Sequence, residues 1–175
     1  MNNLFLTGKK GIGKSTILKK VLNQIDLSIG GYVTERTYDG YYRKYIARSL
    51  SNPKEEYLIV KSDSRNDSKV FFPEAFEKGL VSILDESLKS KDIIVLDELG
   101  SSEEEIDVFT SKIFELLDSK KIVFGVLKDV DCEFLNRIKN RSDVTIIRVT
   151  EENRDSISDE IMDIINGFIK KTSSS

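Results

Sequence analysis

Apolar residues follow two rhythms along the chain. Short continuous runs recur at positions 4–6, 93–96, 122–127 and 144–149. Each has the length of a strand buried on both faces. Between and after them the spacing changes to three and four. Phe76, Leu80, Ile83 and Leu84 share one helical face, as do Phe109, Ile113, Leu116 and Leu117, and later Ile157, Ile161, Ile164, Ile165 and Phe168. Buried strands alternating with amphipathic helices predict an α/β sandwich of three layers, a mainly parallel sheet with helices on both sides. Residues 1–170 read as one domain, with 171–175 as a polar, flexible tail.

One stretch breaks the alternation. Gly31-Tyr32-Val33-Thr34-Glu35-Arg36-Thr37-Tyr38 leads to Asp39-Gly40 and then Tyr41-Tyr42-Arg43-Lys44-Tyr45-Ile46-Ala47. Asp-Gly between aromatic and β-branched runs is a hairpin signal. Residues 56–60 supply a third strand after the Asn52-Pro53 turn, so 31–61 reads as a small antiparallel meander. The polar segment 62–69 reads as an exposed loop.

The chemistry is concentrated next to the first strand. Gly8-Lys9-Lys10-Gly11-Ile12-Gly13-Lys14-Ser15 matches the phosphate-binding pattern G-x-x-x-x-G-K-[ST], and Thr16 onward has helical spacing. Strand, glycine loop and helix in that order give the pattern its mechanism. Backbone N–H groups of the loop and the helix N-terminus surround a polyphosphate. Lys14 reaches the β- and γ-phosphates, and the Ser15 hydroxyl ligates Mg2+. The run at 93–96 ends in Asp97-Glu98. In a doubly wound sheet ligands lie beyond the carboxyl ends of the strands. Asp97 is therefore a candidate for Mg2+, and Glu98 for the general base that activates water.

Composition narrows the alternatives. The 175 residues are 39% hydrophobic and 33% charged, with a formal net charge of −3 from 27 basic and 30 acidic groups. That balance gives no reason to expect general nucleic-acid binding. No apolar run approaches the ~20 residues of a membrane span. Without a leader-like N-terminal pattern, the expected location is the cytoplasm. The single Cys132 allows no internal disulfide and fits a place in or near a core helix. The absence of histidine removes Ser-His-Asp hydrolysis, histidine metal ligation and phosphohistidine chemistry.

Further charged groups are candidates for transition-state or base contacts: Glu35, Glu103, Arg141 and Arg154, with Arg36 and Arg137 as additional arginines able to neutralise a γ-phosphate. Glu104 and Glu105 read as helix N-terminal charge. Asn140-Arg141-Ser142-Asp143 superficially resembles a guanine-reading motif but precedes a strand where that motif follows one. The hairpin tyrosines Tyr32, Tyr38, Tyr41, Tyr42 and Tyr45 fit ordinary sheet packing better than base stacking.

These residues together resemble a known family, the small P-loop nucleoside-triphosphatases that include the cancer-related nucleoside-triphosphatase. The resemblance rests on Leu4-Phe5-Leu6-Thr7-Gly8 leading into Gly13-Lys14-Ser15-Thr16, on Gly31-Tyr32-Val33-Thr34-Glu35, and on Asp97-Glu98-Leu99-Gly100 followed by Glu103. It is most specific at Asn140-Arg141-Ser142-Asp143-Val144 and Val149-Thr150-Glu151-Glu152-Asn153-Arg154. Ser102 departs from the family's usual Met, and Tyr42 and Lys44-Tyr45 depart from a basic residue and Gly-Phe. The resemblance implies Mg2+-dependent hydrolysis of ATP, GTP and other nucleoside triphosphates to the diphosphate. It also implies a phosphate role for Lys14 and a hydrolytic role for Glu98. A monomer is expected. The competing readings are a small-molecule or nucleotide kinase and a nucleotide-dependent switch that needs a partner.

Overall fold

The structure is a computed structural model that describes residues 2–173. Eight strands form one sheet: β1 (Asn3–Thr7), β2 (Ile29–Asp39), β3 (Tyr42–Ser49), β4 (Glu56–Asp63), β5 (Ser68–Phe71), β6 (Ile93–Leu99), β7 (Ile122–Leu127) and β8 (Val144–Arg148). Their order across the sheet is β5-β4-β3-β2-β6-β7-β1-β8. The half from β2 through β6, β7 and β1 to β8 is parallel, and β2 to β5 form an antiparallel meander.

The helices are α1 (Lys14–Leu22), α2 (Val81–Ser90), α3 (Asp107–Asp118), α4 (Glu133–Lys139) and α5 (Ile157–Ser173), with a π-helical segment over Ala75–Leu80 leading into α2. Alternation along the strands sorts them into two layers. Phe5, Ile94 and Leu96 face one core with the apolar stripes of α2, α3 and α4. Leu4, Leu6, Ile93 and Val95 face a second core with α1 and α5. The parallel strands are buried on both sides, which is why they read as unbroken apolar runs.

The observed fold is the expected three-layer sandwich, with three differences of detail. The meander has a fourth strand, β5, inside the region that reads as a loop and just beyond it. This strand is short, largely exposed and lies at the sheet edge, where charge and brevity protect against further pairing. The helical face that begins at Phe76 starts with the π-helical segment. At the other end α5 continues through Lys171 and Thr172 to Ser173, where the sequence suggests a tail; Ser174 and Ser175 lie outside the described residues.

Strand lengths create the site. β2 pairs with β6 only as far as Val33 opposite Asp97. The remainder of β2 continues with β3 alone, from Thr34 opposite Ala47 to Asp39 opposite Tyr42. The meander therefore rises past the C-terminal edge of the parallel strands and stands as a wall beside it.

Candidate active site

The phosphate loop joins β1 to α1 at that C-terminal edge. Gly8 has φ 137°, and a Cβ there would meet the Val149 carbonyl oxygen at 2.4 Å. Only glycine lets the loop after β8 come this close. Gly13 caps α1 with φ 107°, a left-handed turn that aims the first N–H groups of the helix into the loop. Lys14 is 7% exposed. Its Nζ donates to the carbonyl oxygens of Gly8 at 2.6 Å and Lys9 at 3.0 Å, which sets the ammonium across the mouth of the loop. Burial pulls its pKa below the ordinary lysine value, against the raising effect of Glu98, Asp129 and Asp97.

Asp97 and Glu98 lie in the last three residues of β6, with β7 between this strand and β1. The Ser15 hydroxyl donates to Asp97 Oδ1 at 3.0 Å and so bridges that gap. Asp97 is 3% exposed. Burial pushes its carboxyl up to about 6; the Ser15 hydrogen bond works the other way, and Glu98 adds to the rise. Glu98 lies nearer solvent, with Oε1 3.7 Å from the Lys128 ammonium at the end of β7.

Among the described residues, no group of three or more His, Cys, Asp or Glu side chains is placed to hold a metal ion. A hydroxyl and one buried carboxylate with little neutralising partnership instead offer hard oxygen donors. That suits Mg2+, which takes one or two protein ligands and completes its shell with water and phosphate oxygens. Ser15 and Asp97 fit such an ion.

A cavity of about 650 Å³ opens over these groups. Gly8, Lys10, Gly11, Gly13, Lys14, Ser15 and Thr16 line it along the loop, and Asp97, Glu98 and Glu103 along β6 and its following turn. Lys9 and Ile12 face the other side of the loop, where a smaller cavity of about 270 Å³ is bounded by Arg148, Thr150, Glu151 and Glu152.

The remaining candidates divide sharply. Glu103 is in the site: it is 3% exposed, accepts a hydrogen bond from the Gly100 N–H at 3.0 Å, and is pushed up by burial. Arg36 also reaches the large cavity. Glu35, the next residue back on β2, is on the opposite face and pairs with Arg48 at 3.5 Å. Arg154 lies in the loop after β8, half-exposed, 3.9 Å from Asp155, and lines neither cavity. Arg137 lies over the Phe114 ring.

Arg141 is at the wrong end of the molecule for the role the sequence suggests. It precedes β8, and parallel strands put that start at the edge opposite the phosphate loop. There it holds Asp143 and Asp118, each at 2.7–2.8 Å.

Two charged residues that line the cavity at the end of β7 were not singled out as candidates by sequence. Lys128 and Asp129 follow the apolar run of β7, and the end of such a run was the available signal. The Tyr32 hydroxyl is buried without a hydrogen-bond partner, and burial with the charges of Glu103, Asp97 and Glu98 drives its pKa well up. Its proximity to three carboxylates has no sequence signal, because it depends on β2 lying beside β6.

Comparison with known proteins agrees with this geometry. A family model described as NTPase matches residues 3–162. The chain is 30% identical over 166 residues to nucleoside-triphosphatase THEP1 of Thermotoga maritima, covering 93% of this chain and 94% of that protein. It is 27% identical over 173 residues to the protein of the same name from Methanocaldococcus jannaschii, covering 95% and 99%. In fold it is similar to the crystal structure of THEP1 from Aquifex aeolicus, with a TM-score of 0.75 at 21% identity over 93% of this chain and 98% of that one. The phosphate loop, the paired carboxylates of β6 and a family match across nearly the whole chain lead to one conclusion: the protein belongs to the NTPase family.

Proposed function

We propose that this protein hydrolyses nucleoside 5'-triphosphates, ATP and GTP among them, to the diphosphate and phosphate in a Mg2+-dependent reaction. The observation that carries the reading is the 3.0 Å hydrogen bond from Ser15 to the buried Asp97, with Glu98 next in the chain. It joins a phosphate loop to a metal-type carboxylate and leaves a second carboxylate facing the cavity.

The loop from Gly8 to Thr16 binds the phosphates through backbone N–H groups, and Lys14 neutralises the β- and γ-oxygens. Ser15 and Asp97 would hold Mg2+, which would supply positive charge to the phosphates when bound. Glu98 orients a water molecule and takes its proton as the water oxygen bonds to the γ-phosphorus and the bond to the β–γ bridging oxygen breaks. Lys128, beside Glu98, supplies a second cation toward the transferred group. A kinase or a switch would use the same loop, but a carboxylate placed for water favours hydrolysis. Broad base tolerance and a monomeric, cytoplasmic protein without general nucleic-acid binding complete the proposal. No helix among the described residues is long and apolar enough to cross a membrane.

Phosphate release from ATP, GTP, CTP and UTP with Mg2+, for the unmodified protein and Glu98→Gln, tests the reading. Turnover of several nucleotides, lost in the variant, is expected. Nucleotide binding without turnover in the unmodified protein would overturn it.

A further inference from the structure

The large cavity is longer than the phosphate site. It passes Glu98 and continues along the inner face of the meander, where Arg36, Tyr45, Val60, Lys69 and Phe71 form the wall, with Phe76 from the π-helical segment. A nucleotide in the phosphate loop does not extend into this part. In-line displacement puts the attacking water and the leaving diphosphate on opposite sides of the γ-phosphorus. With Glu98 on the water's side, the rest of the nucleotide runs the other way, across the loop toward β8. This step rests on the proposed function.

Charge on the two faces of the meander differs. On the outer face and at its tip, Lys44 pairs with Asp39, Arg48 with Glu35 and Glu56, and Arg65 with Asp63, while Lys61 lies over the Tyr42 ring at 3.9 Å. Along the inner face, Arg36, Arg43 and Lys69 make no ion pair among the described residues, and neither does Lys10 at the loop tip opposite them. Arg36 and Arg43 lie against the Tyr38 ring, with centroid distances of 5.5 and 5.7 Å, and Arg43 Nε is buried without a hydrogen-bond partner. The Tyr45 phenol senses this surplus. Burial alone would raise its pKa, yet hydrogen bonding to Arg43 and the charges of Lys10 and Arg43 bring it below the ordinary value. Beneath the cations the wall is apolar and aromatic, with Phe71 and Phe76 stacked at 5.2 Å.

We propose that this part of the cavity binds a second small molecule, a phosphate monoester carrying an aromatic ring, at the same time as the nucleotide. Its dianion sits among Arg36, Lys10 and Lys69, away from Glu98, and its ring lies on Phe71, which the buried Phe76 backs from below. Guanidinium groups are suited to phosphate oxygens, and a flat apolar floor favours a ring over an aliphatic chain. The ligand lies on the nucleophile's side of the γ-phosphate, so its occupancy bears directly on the attacking water.

The test is calorimetric titration of phenyl phosphate, AMP and inorganic phosphate into protein saturated with Mg2+ and a non-hydrolysable ATP analogue. One phenyl phosphate or AMP per chain should bind, more tightly than inorganic phosphate. Arg36→Ala and Lys69→Ala should each weaken both esters by roughly tenfold, the worth of a charge-assisted hydrogen bond, and Lys69→Ala should leave analogue affinity unchanged. Phe71→Leu should narrow the gap between phenyl and inorganic phosphate. Displacement of phenyl phosphate by the analogue, or indifference to Arg36→Ala, would overturn the site. If the analogue itself does not bind, the nucleotide reading fails instead, and the same titrations on the bare protein still decide the second site.

Discussion

Two aspartates at opposite edges of the parallel sheet show how differently the fold treats charge. Asp97, at the C-terminal end of β6, is almost wholly buried and has one hydroxyl as its hydrogen-bond partner. Burial lifts it to about 6. Asp143, at the start of β8, is held by two hydrogen bonds from Arg141 and one from Asn3. Those bonds from Arg141 hold it below the usual carboxylate range. A folded chain left to minimise its own free energy treats acids as it treats Asp143. The cost left standing at Asp97 is one that the proposed cation and polyphosphate would offset.

The comparison is broken most forcefully at the catalytic edge. Glu98→Gln keeps the shape and removes the base, so turnover in a phosphate-release assay should fall by about 10²–10⁴. Lys14→Ala removes a buried cation aimed at the phosphates, and kcat/KM should fall by about 10²–10³. Unchanged rates in either variant would show that the charge stored at this edge serves something other than phosphoryl transfer.

Asp97→Asn sharpens the contrast, because activity and stability should move in opposite directions. The Mg2+ titration of turnover should shift to higher concentration. In the metal-free protein the variant should melt higher. Burial pushes the folded carboxyl up to about 6, well above the ordinary carboxylate range. A carboxyl with a raised folded pKa binds its proton better when folded, so the protein loses stability as pH rises from about 4 through 6. At pH 7 the loss is of order 1–3 kcal/mol, which Asn avoids while still accepting from Ser15. Thermal melts in chelator at pH 4 and pH 7 should show the variant's advantage mainly at the higher pH.

The sequence disclosed most where local chemistry decides the outcome. Gly8, Gly13, Lys14 and Ser15 are fixed by a contiguous loop, and Asp97 and Glu98 by the end of an apolar run, so both halves of the candidate site, which the structure brings to one cavity, were legible. Residues whose position depends on how strands are ordered were not. Arg141 looks equivalent to Arg36 in the sequence, yet one starts a strand at the far edge and the other lies on the part of β2 that outgrows β6. β5 was hidden because an exposed edge strand such as Ser68-Lys69-Val70-Phe71 needs no apolar alternation. Tyr45, Phe71 and Phe76 meet only because a meander and a π-helical segment fold onto the same side of the sheet.

The smallest expected effect is at the compensated edge, and it tests whether that edge is structural only. Asp143→Asn removes half of a partly exposed pair, so its cost should be about 1 kcal/mol or less, a fall in Tm of about 2–4 °C for a chain of this size. The sign of its pH dependence is opposite to that of Asp97. Arg141 lowers the folded pKa, so the contribution is fully present above the unfolded value and disappears as the pH falls through the folded one. The variant and the unmodified protein should therefore differ in Tm at pH 7 and converge as the solution is acidified below pH 4. Turnover and its Mg2+ dependence should be the same in both, because Asp143 and Arg141 sit at the opposite edge of the sheet from Glu98. A loss of turnover comparable to that of Glu98→Gln, with Tm unchanged, would mean that charge at the two edges is coupled through the sheet.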